Sequence, residues 1–532
     1  MNRDHDGASL SLWMATADVP PLAPLADAPG AQVCIVGAGI AGLTTAYRLL
    51  REGRSVLVLD ERGLAGGQTA RTTGHLCNAL DDRFFELERL HGAQGARAAA
   101  ASHAAAVDWI EGICREEGID CDFARVDGYL VQGLGEMRAG ILDREYEAAV
   151  RAGVDCERVP GAPGALAVFG DALRFRNQAR FHALRYQAGL LRAIERMGGR
   201  VRRASVTQVH GGREAGVSTR EGRRLRSDAV VVATHVPFND RLTIHTKQAA
   251  YRSYVIALRI GAGTVPDALV WDTLDPYHYV RVAQVAGTHW LLVGGEDRKV
   301  GQDDTPRVHE AALERWARDH FPMAGEVGYC WSGQIIEPVD ALAFIGRNPG
   351  LADNVYVVTG DSGNGLTHGT LAGLILPDLM AGREPTHAGQ RWDQLYAANR
   401  KNLHAADTYL RENLNFVPYY GELLGDGDIQ EPEQLAPGEG AVLLDGLHRV
   451  AAYRDDQGQL HLHSAVCPHL GCVVHFNASE CSWDCPCHGS RFDAHSGARL
   501  NGPADRGLAH VEYEQPELPP VRPTAPPPAA HP

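Results

Sequence analysis

Runs of apolar residues alternate with amphipathic stretches along most of the chain, and the first of them form a unit. The apolar run VCIVGAG (33–39) is followed by IAGLTTAYRLLREG (40–53), which has helical periodicity, and then by SVLVLD (55–60). This order predicts a strand, a glycine turn, a helix and a second strand. Because the same two patterns recur, as a buried strand at 227–234 and a helix at 179–199, we predict an α/β fold.

The pattern changes near the acidic, Gly/Pro-rich segment 425–440, which we take as a domain boundary. The preceding domain is expected to span residues 31–415. Short apolar runs separated by turn residues and by Cys and His clusters predict a small all-β domain over 428–515. Residues 1–30 form a polar, Pro-rich arm, and the Pro-rich tail 516–532 is expected to be disordered.

Composition narrows the class of protein. The chain has 532 residues and a formal net charge of −15, and it lacks a basic run with interleaved aromatic residues, so nucleic acid is not an expected partner. We find no stretch of about 20 apolar residues that would predict a membrane span. The first residues lack the basic and apolar regions of a secretory signal, so we expect a cytoplasmic protein.

A GxGxxG motif lies between the first predicted strand and helix, where such a motif binds a dinucleotide. Gly37 would allow the tight turn, Gly39 would let the backbone approach a pyrophosphate, and Gly42 would let helix and strand pack closely. Asp60, at the end of the second strand, or less favourably Glu61, would bind the ribose hydroxyls. The motif alone does not distinguish NAD from FAD.

Two further glycine-rich segments favour a flavin. They are GGQTARTTGH (66–75) and TGDSGNGLT (359–367), the latter between an apolar run and a predicted helix. Both would place backbone N–H groups beside an electron-rich ring edge. Together with SLWMAT (11–16) and the stretch 331–346, they resemble the D-amino-acid-oxidase-like family of FAD-dependent oxidoreductases over roughly residues 10–385.

This resemblance implies FAD, bound by a Rossmann-like subdomain that is interleaved with an antiparallel-sheet substrate domain. The implied FAD-binding residues are Gly37, Gly39, Gly42, Asp60, Glu61, Gly67, Thr69, Arg71, Thr72, Thr73, Gly74, His75, Gly360, Gly363, Asn364, Gly365 and Thr367. Some relatives attach the flavin covalently. A packing or hydrogen-bonding role for His75 is favoured over such a link because the local pattern differs.

The chain has 11 cysteines, which crowd in the segment 467–487 and are otherwise scattered. The motifs CPH (467–469) and CPCH (485–488) offer two thiolates and two imidazoles, a set that would also suit zinc. Their glycine-containing flanks resemble the Rieske domain instead, over about residues 428–515. The resemblance implies a [2Fe–2S] cluster whose ligands are Cys467 and Cys485 on one iron and His469 and His488 on the other.

The same resemblance implies how the cluster is tuned. Cys472 and Cys487 match a disulfide that braces the two cluster loops, and Ser490 matches a hydroxyl that donates to a bridging sulfide. Phe492 stands where high-potential Rieske subunits carry Tyr. Histidine ligation raises the potential of the cluster, but because one hydrogen bond to sulfur is missing we expect a potential below theirs.

Candidate catalytic residues lie in YHYVR (277–281), which is predicted to be a strand. With a period of two, Tyr277, Tyr279 and Arg281 share a face. Arg281 could pair with a substrate carboxylate, and the rings could surround an ammonium group. The alternative, a polar sheet face without substrate contact, stays open. Trp331 and His368 are comparable candidates.

The two redox centres predict an enzyme that oxidises a C–N bond of an amine or amino-acid-like substrate with FAD. Electrons would pass singly to the cluster and then to a protein or quinone-like acceptor. An NAD(P)H-linked flavin/Rieske reductase is an alternative, although the segment 261–266 lacks the third glycine of a second fingerprint. A non-catalytic redox sensor or electron carrier is also open. A ring-hydroxylating oxygenase is excluded because the short, Pro-rich stretch after His488 leaves no room for a mononuclear iron site.

Overall fold

The computed structural model describes residues 6–26, 30–133, 140–240, 242–302, 305–387, 389–446 and 448–512. The predicted disordered tail, 516–532, lies outside the described residues. Among the described residues, no helix is both long enough and apolar enough to cross a membrane.

Helices and strands are numbered in chain order. The α-helices are α1 Leu12–Thr16, α2 Ile40–Arg51, α3 Phe84–Glu117, α4 Ile141–Ala152, α5 Ala183–Arg196, α6 Pro306–His320, α7 Gly365–Met380, α8 Trp392–Leu395, α9 Ala406–Asn415 and α10 Val417–Gly421. The strands are β1 Val33–Val36, β2 Val56–Asp60, β3 His75–Leu76, β4 Ala124–Val131, β5 Cys156–Val159, β6 Ala172–Arg180, β7 Arg200–Arg203, β8 Val206–His210, β9 Gly216–Thr219, β10 Arg224–Arg226, β11 Ala229–Val232, β12 Gln248–Ile260, β13 Leu269–Asp272, β14 His278–Val285, β15 Thr288–Lys299, β16 Val327–Pro338, β17 Phe344–Arg347, β18 Val355–Thr359, β19 Thr386–His387, β20 Gln390–Arg391, β21 Gly440–Asp445, β22 His448–Arg454, β23 Leu460–Ser464, β24 His475–Asn477, β25 Ser482–Asp484, β26 Arg491–Asp493 and β27 Arg499–Asn501.

The first large sheet has the order β17-β18-β11-β1-β2-β7. Its strands are parallel except for the edge strand β17. Every residue of β1 is buried, as expected for a parallel strand covered on both faces. Helix α2 packs against α5 and α7. The predicted strand–turn–helix–strand unit is therefore confirmed, and its parallel strands point their carboxyl ends toward one edge.

The second large sheet has the order β16-β12-β15-β14-β13-β4-β6-β3, with β5 beside β6. Its pairs are antiparallel apart from β4 and β13. Its strands alternate along the chain with those of the first sheet, so the two subdomains are interleaved as predicted. The predicted helix 179–199 begins late, because its first two residues continue β6 and the His182 ring caps α5 by accepting from the Arg185 N–H at 3.4 Å.

The C-terminal part is a small all-β domain, as predicted. It contains the antiparallel sheets β21-β22-β23 and β24-β25-β26-β27. Trp483 and Phe492 are fully buried in its own apolar core.

The N-terminal segment lies against both domains. Ser11 caps α1 by accepting from the Met14 N–H at 3.2 Å, and Leu12 and Trp13 are buried. Asp6 is fully buried, and its carboxylate lies 3.0 Å from Arg491 of the C-terminal domain. This segment therefore contributes to the contact between the two domains.

Candidate flavin and iron–sulfur sites

A deep cavity lies at the carboxyl ends of the parallel strands, which is where nucleotide ligands bind in open α/β sheets. Its walls come from the loops after β1, β2, β11 and β18 and from residues of β14 and β16. Its lining extends from the loops after β1 and β2 to the loop after β18. A cavity of this extent suits a dinucleotide.

The GxGxxG loop has the geometry that a bound pyrophosphate requires. Gly37 has φ of 108°, and a Cβ there would lie 2.3 Å from the Ala233 carbonyl oxygen. A Cβ on Gly42 would lie 1.9 Å from the Gly37 carbonyl oxygen. Gly39 has space in front of it, since the nearest atom to its added Cβ is Thr69 Oγ1 at 3.5 Å. The loop therefore leaves its backbone exposed to the cavity at the start of α2.

Asp60 lines the cavity and also shapes it. Its Oδ2 accepts from the Ala38 N–H at 2.8 Å, and its Oδ1 accepts from the Arg62 and Gly63 N–H groups at 2.9 and 2.7 Å. The carboxylate thus joins the glycine loop to the turn after β2. It lies at the position predicted for the ribose contact.

Glu61 also lines the cavity, and cationic side chains surround it. Its carboxylate accepts from Ser205 at 2.9 Å, from Arg220 at 2.9 Å and from Arg499 at 3.0 Å. Burial acts to raise the pKa of Glu61, but Arg499 and Ser205 hold it below 4.5. Glu61 is therefore ionised near neutral pH.

The segment predicted to line the isoalloxazine forms one wall of the cavity. The residues of this segment that line it are Gly66, Gly67, Gln68, Thr69, Arg71, Thr72, Thr73 and His75. Two buried indoles hold its backbone: the Trp13 N–H donates to the Thr72 carbonyl at 2.5 Å and the Trp331 N–H to that of Arg71 at 2.8 Å. Burial, followed by the charge of Arg281, lowers the pKa of His75 to about 3, so its ring is neutral.

Arg71 lies in this wall, but its guanidinium bonds to the C-terminal domain. Its Nη1 lies 3.2 Å from the Glu480 carboxylate and donates to the Ser332 carbonyl at 2.8 Å. Arg252 also pairs with Glu480, at 2.9 Å. Burial acts to raise the pKa of Glu480, but these arginines hold it far below its ordinary value. The guanidinium of Arg71 therefore holds the domains together. Only the backbone of Arg71 is then free to contact a flavin.

The late glycine segment forms the opposite wall. Gly360, Gly363, Asn364 and Gly365 line the cavity at the start of α7. Gly363 has φ of 68°, and a Cβ there would lie 2.2 Å from Asp81 Oδ2. Thr367 lies away from the cavity.

The hydroxyl of Thr367 contacts the His103 ring nitrogen at 2.8 Å and donates to the Asn364 carbonyl at 3.1 Å. Thr367 thus holds the first turn of α7. The family resemblance implied that it binds FAD, but its side chain is turned to these partners instead.

Two of the three predicted catalytic residues line the cavity. The rings of Tyr277 and Tyr279 lie 5.5 Å apart, with Trp271 and Asp81 in the same lining. The Tyr279 hydroxyl bonds to Ser253 at 2.8 Å. Burial raises the pKa of Asp81 to about 6. An aromatic pair beside a carboxylate forms an environment that stabilises an ammonium group.

Arg281 has a different environment from the one predicted. It is 1% exposed and lies outside the cavity lining. Its Nη1 donates to the carbonyls of Thr73, Gly74 and Phe181 at 3.1, 2.8 and 3.2 Å. It shares a strand face with Tyr279, but the segment 73–74 covers that face at its position. Arg281 therefore braces the flavin wall and is not available to a substrate carboxylate.

The four predicted cluster ligands meet on two loops of the C-terminal domain. The Cys467 and Cys485 thiols lie within hydrogen-bonding distance, and the rings of His469 and His488 have centroids 4.9 Å apart. The Nδ1 atom of His488 is buried and has no hydrogen-bond partner. Two thiols and two imidazoles are the donor set that a [2Fe–2S] cluster with mixed ligation requires.

The surroundings of the ligands include the predicted disulfide. Cys472 and Cys487 form a disulfide between the two loops. The Ser490 hydroxyl bonds to the Cys467 thiol and accepts from the Ala504 N–H at 3.0 Å. Phe492 packs in the apolar core and offers no hydroxyl.

Gln334 connects the two sites. Its Nε2 donates to the carbonyl of Gly489, the residue after His488, at 2.8 Å, and its backbone N–H donates to Gln68 Oε1 at 2.8 Å. Both glutamines line the cavity. The Oε1 of Gln334 is buried without a partner. The cluster loop and the flavin wall are thus separated by one side chain.

Comparison with known proteins agrees with both sites. The family model for FAD dependent oxidoreductases matches residues 32–379, and that for the Rieske [2Fe–2S] domain matches residues 428–512. This chain belongs to the FAD-dependent oxidoreductase family. Because its C-terminal part matches the Rieske domain, the cofactors of this oxidoreductase are FAD and a [2Fe–2S] cluster.

Similar proteins include one with the same two parts. The putative Rieske 2Fe-2S iron–sulfur protein YhfW of Bacillus subtilis is 31% identical over 94% of this chain and 97% of its own length. Gamma-glutamylputrescine oxidoreductase of Escherichia coli is 24% identical over 70% of this chain and 89% of its own. Glycine oxidase from Geobacillus kaustophilus shares the fold, with a TM-score of 0.56 at 18% identity, covering 70% of this chain and 99% of its own.

Several residues that shape the sites were missed by sequence reasoning. They are Asp6, Gln68, Asp81, Trp271, Gln334, Glu480 and Arg499. Gln68, Gln334 and Glu480 lie inside the segments 66–75, 331–346 and 467–487 that the sequence analysis singled out, but not at motif positions. The other four lie outside those segments and had no signal nearby.

Proposed function

We propose that this FAD-dependent oxidoreductase oxidises the C–N bond of an amine or amino-acid-like substrate and passes the electrons one at a time to its own Rieske cluster. The observation that carries the proposal is the contact of Gln334 with Gly489, because it brings the cluster loop against the flavin cavity within one polypeptide. When bound, FAD takes two electrons as hydride and the cluster takes one at a time, so the pair converts a two-electron oxidation into single-electron delivery.

At the substrate end of the cavity, the chain offers aromatic rings and a carboxylate. Tyr277 and Tyr279 are proposed to hold the substrate nitrogen, with their rings facing an ammonium group. Asp81 Oδ2 accepts from the Tyr277 hydroxyl at 3.4 Å. Because the pKa of Asp81 is about 6, its carboxylate is proposed to take the proton that an ammonium substrate must lose before oxidation.

Exclusion of water is the second contribution of the protein. Trp271 and the tyrosine pair form an apolar wall, and buried Arg281 fixes the adjacent backbone. The amine loses its α-hydrogen with an electron pair, and the resulting imine is hydrolysed by water to a carbonyl compound and ammonia or a smaller amine. The final acceptor is proposed to be a one-electron carrier, a protein or a quinone-like molecule.

The test is anaerobic reduction of the full-length protein with a panel of amines and amino acids. Flavin absorbance and the EPR signal of the reduced cluster are followed together, with NADH as a comparison reductant. We expect bleaching of the flavin by at least one amine, followed by the cluster signal. Flavin bleaching without any cluster signal would contradict the relay, and bleaching by NADH alone would favour a nicotinamide-linked reductase.

A further inference from the structure

One wall of the flavin cavity comes from the other domain. Four consecutive residues of the C-terminal domain, 499–502, line the cavity together with Asp60, Glu61 and Arg62. Leu500 is only 8% exposed. These residues belong to strand β27 and the turn after it. They come about 30 residues after the ligand motif CPH in the chain. None of these four residues is a cluster ligand.

We propose that the strand Arg499–Asn501 is a built part of the FAD site and closes its adenosine end, so that tight FAD binding requires the Rieske domain to be docked. The placement at the adenosine end follows from the neighbours of the strand. Asp60 ends β2, and in this family the acidic end of that strand holds the ADP half of FAD.

Arg499 and Leu500 are held against the flavin domain. The Arg499 guanidinium lies 3.0 Å from the Glu61 carboxylate and over the ring of Phe238, 5.5 Å from its centroid. The Leu500 carbonyl accepts from Arg62 Nη2 at 2.5 Å. Because Phe238 also lines the cavity, the guanidinium of Arg499 and the ring of Phe238 lie together in this wall.

The third anchor is the N-terminal segment. Asn501 Nδ2 donates to both oxygens of the Asp6 carboxylate, at 2.9 and 3.1 Å. Asp6 also pairs with Arg491 at 3.0 Å and with Arg62 at 3.4 Å. Asp6 and Arg491 are both fully buried. Such a set of buried, mutually paired charges holds one geometry, because separating any pair leaves a charge unpaired.

The inference is independent of the substrate. It depends only on FAD binding, so a failure to find an oxidisable amine does not affect it. It also differs from the electron relay, which uses the Gln334 contact on another part of the interface.

The test uses full-length apoprotein, from which the flavin has been removed, titrated with FAD and separately with ADP. The variants are Arg499→Ala and Leu500→Ala, and the control is Arg506→Ala, whose side chain is 69% exposed on the same domain. We expect both test variants to bind FAD and ADP about tenfold more weakly, the effect of losing one charged or well-packed contact. Their cluster EPR signal should equal that of the parent, and the control should bind FAD normally.

FAD and ADP affinities within twofold of the parent in both variants, with full cluster content, would overturn the proposal. If a variant loses its cluster as well, the proposal is tested on the parent protein by the following measurement. Hydrogen–deuterium exchange of the peptide that contains residues 499–502 should slow when ADP is added to the apoprotein. Unchanged exchange there, with ADP bound, would equally overturn it.

Discussion

The side chain of Gln334 donates a hydrogen bond to the carbonyl of Gly489, 2.8 Å away, and so joins the wall of the flavin cavity to the cluster loop. Gly489 has φ of 76°, and a Cβ there would lie 2.2 Å from the Ala250 Cβ. The close approach of the loops therefore depends on this glycine, and Gln334 fixes it.

Replacing Gln334 with Met should slow electron transfer between the two cofactors. The variant keeps the volume of the side chain but loses the bond to Gly489. At about 1 kcal/mol for one buried hydrogen bond, the equilibrium constant for docking of the cluster loop should fall about fivefold. Stopped-flow reduction would measure the delay between flavin bleaching and the cluster signal. Gln284→Met, at an exposed position of β14, is the control, and an unchanged delay in Q334M would contradict the role.

Replacing Arg281 with Met should destabilise the protein and weaken FAD binding. The guanidinium supplies charged donors to buried carbonyls of the segment 73–74 and of Phe181, each worth about 1.5–3 kcal/mol. We expect the free energy of unfolding to fall by about 3 kcal/mol. Thermal denaturation and FAD titration measure both effects.

Because Arg281 braces the backbone and does not contact substrate, Arg281→Met should not change substrate selectivity. In the fraction that retains FAD, the KM for substrates should be the same whether or not they carry a carboxylate. A KM that rises only for carboxylate-bearing substrates would instead show that Arg281 pairs with the substrate carboxylate.

Tyr279→Leu should raise the KM for amines about tenfold, because the ring contributes about 1–2 kcal/mol to binding a desolvated ammonium group. Tyr279→Phe retains the ring and loses only the bond to Ser253, so it is the matched control. Steady-state kinetics with an artificial one-electron acceptor would separate KM from kcat. Equal effects of Phe and Leu would show that the hydroxyl, not the ring face, matters.

Asp297 should make the stability of the protein fall as pH rises. Burial raises the pKa of its carboxyl from 3.8 to about 7. Since the unfolded chain loses this proton first, the folded state is disfavoured progressively between about pH 4 and pH 7 and by a constant amount above. At about 1.36 kcal/mol for each unit of the pKa difference, Asp297→Asn should therefore gain about 4 kcal/mol in the free energy of unfolding at pH 8 relative to pH 4. Urea unfolding at both pH values tests this, with the exposed Asp353→Asn as control.

His469→Cys should lower the reduction potential of the cluster by an amount on the order of 100 mV, because a thiolate adds negative charge to it. Redox titration followed by EPR gives the potential. FAD content should stay at the level of the parent, since His469 lies outside the cavity lining. Loss of FAD together with an intact cluster would contradict that separation.

Local motifs made the cofactors and much of the fold predictable. Gly37 and Gly42 need positive φ or close contact within a single turn, and the ligands of the cluster lie within two short loops, so the sequence alone carries these constraints. Arg281 shows what a local pattern does not predict. The period of two correctly placed Arg281 on the same strand face as Tyr279. The segment 73–74 that covers Arg281 is more than 200 residues away in the chain, so the local pattern gave no sign of it. Arg499 was missed for the same reason, because its partner Glu61 lies in the other domain.

The buried Asp6 has a practical consequence for anyone who wishes to produce the parts of this protein separately. A recombinant fragment that starts at residue 31 would retain both family matches, yet Arg491 would lose one of the two carboxylates that lie 3.0 Å from it. A Rieske fragment alone would lack Arg71 and Arg252, leaving Glu480 without the two arginines that pair with it. Dissection by expression of halves is therefore a poor route to the properties of either cofactor, and point substitutions in the intact polypeptide are the better one.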